Sequence, residues 1–182
     1  MSPQEGIAEV LVSEAELKEI CAGLGKQISK DYQGKNLLLV SVLKGAVVFM
    51  ADLLKEITCE CMIDFMAVSS YSGTKTTGVV KFKKDLDVNP DGKDILIVED
   101  ILDSGITLSY LKKVLADRNA SSIKVCTLLD KPANRKSDIK ADYVGRVIPD
   151  EFVVGYGLDY NEHFRNLPYV GILSPSVYNS DK

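Results

Sequence analysis

The chain has 182 residues, a net charge of −4 and a hydrophobic fraction of 46%. That length suits one domain with a substantial core. An acidic chain without a basic block argues against nucleic acid or a membrane surface as the main partner. The four cysteines, Cys21, Cys59, Cys61 and Cys126, lack zinc or redox spacing. They read as reduced thiols of a cytoplasmic protein. The opening MSPQEGIAEV has neither a basic region nor an apolar core, so no secretory signal is expected. No apolar run reaches membrane-spanning length.

Ile7–Val12 alternates like a short edge strand. Ser13-Glu14-Ala15-Glu16 is a capping box. After it Leu17, Ile20, Cys21, Leu24 and Ile28 recur at helical spacing, which predicts a helix from about Ser13 to Asp31. Asn36–Leu43 reads as a buried strand. It ends in Leu43-Lys44-Gly45-Ala46, and a helix follows to about Ile57. Cys59–Ser69 is the next strand. Ser69–Gly78, SSYSGTKTTG, is a polar loop on composition alone. Val79–Leu86 alternates with lysines, as an edge strand does.

The chain is organised around Asp94–Leu108, DILIVEDILDSGITL. An apolar run, Ile95–Val98, meets two acids, Glu99 and Asp100. Then come Asp103, Ser104, Gly105 and Thr107, and a helix toward Arg118-Asn119. This predicts a buried strand ending at the acids, a small polar loop and a helix start. In open α/β sheets ligands sit beyond the carboxyl ends of the strands. Small loop residues let backbone N–H groups approach a ligand, and a helix N-terminus favours an anion. The same residues also serve as ordinary turn and cap residues. Ser122–Leu129 and Ala141–Ile148 are further strands. Alternating strands and helices imply right-handed crossovers and a mainly parallel twisted sheet flanked by helices. Pro149–Pro168, PDEFVVGYGLDYNEHFRNLP, is rich in aromatics, glycine and acids and has no clean period.

The Val98–Thr107 stretch closely resembles the phosphoribosyl-pyrophosphate signature of the type I phosphoribosyltransferases. FVVGYGLDYNEHFR resembles the hypoxanthine-guanine branch of that family. The resemblance runs from about Ile7 to Tyr178 without a departure at motif positions, Ile106 being a position that varies. It implies an α/β core over about 30–150 and a hood from about 1–12 and 150–182. The implied activity is magnesium-dependent transfer of phosphoribosyl from phosphoribosyl pyrophosphate to a 6-oxopurine.

It also implies roles for particular residues. Lys44 and Gly45, in a turn that carries a non-proline cis peptide in this family, would hold the pyrophosphate with Arg165. The backbone and hydroxyls of Asp103, Ser104, Gly105, Ile106 and Thr107 would hold the 5′-phosphate. Glu99 and Asp100 would hold the ribose hydroxyls and the metal, and Asp159 would reach a second magnesium. Asp103 would be the general base at purine N7. Lys131 would read the 6-oxo group, Phe152 would stack on the purine, and the Val153 backbone would read its edge. Ser70 and Tyr71 would belong to a lid. A homodimer or homotetramer is expected. The alternative is a regulator of the same fold that senses phosphoribosyl pyrophosphate and binds nucleic acid.

Overall fold

The structure, a computed structural model, describes residues 6–70 and 80–179. Its main sheet contains β2 (Leu37–Leu43), β3 (Cys61–Ser70), β4 (Val80–Lys84), β5 (Asp94–Leu102), β6 (Ser122–Asp130) and β7 (Tyr143–Val147). Their order is β4-β3-β2-β5-β6-β7. All neighbours are parallel except β4, the edge strand, which runs antiparallel to β3. A smaller antiparallel sheet joins the two ends of the chain. In it β9 (Val170–Leu173) lies between β1 (Ile7–Val12) and β8 (Val153–Val154).

The apolar runs of β2 and β5 are continuous because both of their faces are covered. Leu37 and Leu39, with Leu96 and Val98, face α1 (Glu14–Asp31) and α2 (Val47–Glu56) through Leu17, Ile28, Phe49 and Leu53. Leu38, Val40, Ile95 and Ile97 face α3 (Ile106–Ala116) through Leu108, Leu111 and Leu115. The small sheet joins the first cluster through Val12, Val153 and Val170. The capping box forms as expected. Ser13 Oγ accepts from the Glu16 N–H at 3.3 Å, and the Glu16 carboxylate accepts from the Ser13 N–H at 2.8 Å. A short helix, α4 (Pro175–Asn179), ends the described chain.

The connections diverge between β2 and β5. The helix after β2 covers one face of the sheet, and the helix after β5 covers the other. Such a divergence opens a crevice at the carboxyl ends of the two strands. The ladder between them stops at Ser41↔Val98.

One expectation is corrected here. β5 does not end at the acids but runs through Glu99 and Asp100 to Leu102. Its partner β6 continues the ladder through Glu99↔Thr127 to Leu102↔Asp130. Pairing on that one side outweighs the low strand preference of the acids. At its other end α3 stops at Ala116, short of Arg118. The chain then tightens into turns that lead to Asn119, whose φ is +61°.

Candidate active site

The loop after β5 is held from behind. Arg135 donates from Nε to the Asp103 carbonyl at 2.8 Å and from Nη2 to the Leu102 carbonyl at 3.0 Å. Its guanidinium also pairs with Asp130 and donates to the Ile139 carbonyl. The Lys131 N–H reaches the Leu102 carbonyl, and the Lys136 N–H the Ser104 carbonyl. The loop's carbonyls are thus committed to the 130–137 segment. Gly105 caps α3 with φ +76°, with no side-chain cap among the described residues. A Cβ there would run into Ser137 and Ile139, so only glycine fits. The first turn of α3 is left with uncapped N–H groups and a positive dipole end, which favour an anion. A cleft of about 170 Å³ lies in front, lined by Glu99, Ile101, Asp103, Ser104, Gly105 and Thr107.

The continuation of β5 separates the two acids, because neighbouring residues of a strand project to opposite faces. Glu99 faces the cleft in front of α3. Asp100 faces the turn after β2, where a Cβ on Gly45 would strike its carboxylate. The Leu43–Lys44 peptide in that turn is cis. Glu99 Oε2 is buried with no hydrogen-bond partner among the described residues. Burial first, and then the neighbouring Asp100 charge, push the Glu99 carboxyl well above its ordinary range. Burial pushes Asp100 up to about 6, against the backbone N–H groups that lower it. Among the described residues no three His, Cys, Asp or Glu side chains gather into a metal cage. Each acid nevertheless offers oxygens to a divalent cation that completes its shell with water and ligand oxygens.

A second group lies at the end of β6. The Lys131 side chain is 11% exposed, and its ammonium stands 3.0 Å from Asp150 Oδ1 and 3.8 Å from Asp103 Oδ2. It also donates to the Glu151 carbonyl at 3.3 Å. Asn134 Nδ2 holds the same Asp150 oxygen at 2.7 Å. Asp103 Oδ1 is buried and unpartnered among the described residues. So a fixed donor and a free acceptor stand side by side. Phe152 is 45% exposed, with Tyr178 stacked on its ring and Tyr160 against its edge. β8 is the outer strand of the small sheet, and the Leu173 N–H bonds the Phe152 carbonyl. Antiparallel alternation then turns the N–H and C=O of Val153 toward the open edge.

The third group joins the two ends of the site. Arg165 Nη2 pairs with Asp159 Oδ1 at 2.9 Å and with Glu162 Oε2 at 3.1 Å. Lys44 Nζ meets the same Glu162 oxygen at 3.0 Å. Arg165 Nη1 donates to the Gly157 carbonyl at 2.7 Å. The second Asp159 oxygen accepts from the Glu162 N–H.

The sequence-predicted residues therefore fall into neighbouring sets: Lys131 with Asp103, Gly45 with Asp100, and Arg165 with Asp159 and, through Glu162, Lys44. Ser70 ends β3, and Tyr71 lies outside the described residues. Arg135, Asp150 and Asn134 were not singled out in the sequence, and no local pattern marks them, since their partners lie far along the chain. Glu162 lies within the FVVGYGLDYNEHFR stretch but was given no role of its own. Ile106 is half exposed at the start of α3, with no side-chain role to assign.

Comparison with known proteins agrees with this geometry. Residues 10–161 match the phosphoribosyl transferase domain family. The hypoxanthine-guanine phosphoribosyltransferase of Staphylococcus aureus is 54% identical over 175 residues, 96% of this chain and 98% of that protein. A crystal structure of a Staphylococcus aureus hypoxanthine phosphoribosyltransferase superposes with a TM-score of 0.93 at 53% identity, covering 96% of both chains. A Trypanosoma cruzi hypoxanthine phosphoribosyltransferase gives 0.91 at 37% identity, over 96% of this chain and 99% of that one. With the strand–loop–helix cleft and the Lys131–Asp103 pair in place, the chain belongs to the hypoxanthine-guanine phosphoribosyltransferases of the phosphoribosyl transferase domain family.

Proposed function

We propose that the chain condenses phosphoribosyl pyrophosphate with hypoxanthine, and with guanine, to give IMP or GMP and pyrophosphate in purine salvage. The observation that carries this reading is the Lys131–Asp103 pair beside the uncapped start of α3. The first turn of α3, with Ser104 and Thr107, holds the 5′-phosphate. Lys131, held in place by Asp150 at 3.0 Å, donates to the 6-oxo group. Adenine would offer a donor to that donor. Phe152 supplies a ring for the base to stack on, and the outward Val153 backbone reads the base edge.

As the bond between ribose C1 and the pyrophosphate breaks, negative charge grows on the leaving group. Lys44 and Arg165 stabilise it. Purine N7 loses its proton to Asp103, whose Oδ1 has no competing partner among the described residues. Magnesium, when bound, neutralises phosphate charge and orients the phosphoribosyl oxygens. Glu99, Asp100 and, through water, Asp159 are the residues that would hold it. The reading includes a homodimer or homotetramer working in the cytoplasm. Among the described residues no helix is long and apolar enough to cross a membrane.

The test is a spectrophotometric assay with hypoxanthine, phosphoribosyl pyrophosphate and magnesium, with release of pyrophosphate measured in parallel. Equimolar IMP and pyrophosphate are expected. Loss of an acid–base group typically costs roughly 10²–10⁴-fold. Asp103→Asn should lose turnover in that range with little change in phosphoribosyl-pyrophosphate affinity. Near-normal turnover in that variant would remove Asp103 from the mechanism.

A further inference from the structure

Glu162 has no part in the chemistry above, yet it occupies the centre of the cation group. One of its oxygens, Oε2, lies 3.0 Å from Lys44 Nζ and 3.1 Å from Arg165 Nη2. The two cations assigned to the leaving group thus share a single carboxylate oxygen. The position is specified by the backbone. Glu162 has φ +66° and Asn161 φ +49°, a region that L residues seldom enter. The conformation is held by the Glu162 N–H on Asp159 Oδ2 at 2.9 Å. A tight turn closes it, with Tyr160 and His163 exchanging N–H···O=C bonds. Both ends of the Lys44–Glu162 pair are well exposed, at 67% and 63%, so the contact exchanges readily with solvent or with another anion.

We propose that Glu162 is an exchangeable internal anion of the pyrophosphate site. It gathers Lys44 and Arg165 in the ligand-free enzyme and yields them to the pyrophosphate group of the incoming substrate. It takes them back as the product pyrophosphate leaves. Glu162 therefore lowers the affinity of the site for pyrophosphate and hastens its release. This rests on the assignment of Lys44 and Arg165 to the pyrophosphate in the proposed function.

The sign of the effect separates this role from a structural one. A residue that merely braced the two cations would weaken ligand binding when removed. A competing anion would strengthen it.

The experiment is calorimetric titration of inorganic pyrophosphate, with magnesium, into the full chain. Glu162→Gln keeps the shape of the side chain and removes its charge. It is expected to tighten binding about three- to tenfold, the range that two exposed ion pairs can supply. On a Lys44→Ala background most of that gain should vanish, because one of the coupled partners is gone. Unchanged or weaker binding in Glu162→Gln would overturn the proposal. Lys44→Ala and Arg165→Gln by themselves test the reading beneath it. If neither weakens pyrophosphate binding, the cation assignment fails and the proposal falls with it. If both weaken it while Glu162→Gln does not tighten it, the internal-anion role alone fails. The KM for pyrophosphate in the reverse reaction gives a second readout, and it should fall in Glu162→Gln.

Discussion

Asp100 shows how a single buried carboxyl ties stability to ligand binding. It lies against the Gly45 turn, and burial raises it from an ordinary 3.8 to about 6. The folded chain therefore takes up this proton below about 6, whereas the unfolded chain does so only near 3.8. Across that window the folded state holds more protons, so stability falls as pH rises from about 4 to about 6. A rise of about two units corresponds to a cost on the order of 2–3 kcal/mol at neutral pH. Asp100→Asn should recover on the order of 2 kcal/mol in the ligand-free protein at pH 7 and flatten that slope, while transferase activity drops. Urea denaturation at pH 4.5 and pH 7 would check the first part. A variant less stable than the parent at pH 7 would show that the charge is already compensated within the fold. Glu99 shares the arrangement, since its buried Oε2 has no donor among the described residues. Both acids are costly to the empty protein, and a cation with phosphoribosyl hydroxyls would offset that cost.

At the scale of elements, the 130–137 segment shapes the loop between β5 and α3. Arg135 ties the Leu102, Asp103 and Ile139 carbonyls together. A hydrogen bond from a charged donor is worth about 1.5–3 kcal/mol where its partner would otherwise be stranded. Arg135→Ala should cost about 2–4 kcal/mol, below the sum of its bonds because water replaces some of them. It should also raise the KM for phosphoribosyl pyrophosphate more than the KM for the base. Urea denaturation and steady-state kinetics would show this. Unaltered stability and kinetics would mean that the loop holds its own shape.

The sequence made much of this scale legible. The apolar run of β5, the glycine turn after β2 and the capping box of α1 are short-range patterns, and each forms where expected. The end of β5 was not legible. Two acids look like a strand terminus until the β6 ladder is known to continue past them to Leu102↔Asp130. Arg135 and Asp150 were hidden for a similar reason. Each is an ordinary loop residue in sequence, and its meaning comes from a partner 32 residues away (Asp103) or 19 residues away (Lys131). Phe152–Arg165 carried no periodic signal. Its turns depend on left-handed residues at Tyr156, Asn161, Glu162 and Phe164, which simple patterning does not reveal.

Over the whole molecule, two sheets divide the task. The six-stranded sheet presents the loop after β5 and the Lys44 turn at a crevice where its connections diverge. The small sheet, built from both ends of the chain, brings Phe152, Val153 and the Arg165 segment over that crevice. In the proposed function, recognition of the base draws on Lys131 at the end of β6 and on β8, while Asp103 comes from the loop between β5 and α3. The central claim is that Lys131 and Asp103 together select a 6-oxopurine and remove its N7 proton. The most direct measurement is turnover with phosphoribosyl pyrophosphate, magnesium and, separately, hypoxanthine, guanine, xanthine and adenine, in the parent and in Lys131→Gln. The account predicts turnover of oxopurines and none of adenine by the parent, and a roughly 10- to 100-fold loss of kcat/KM for hypoxanthine in the variant. Adenine turnover by the parent, or an undiminished kcat/KM for hypoxanthine in Lys131→Gln, would contradict it.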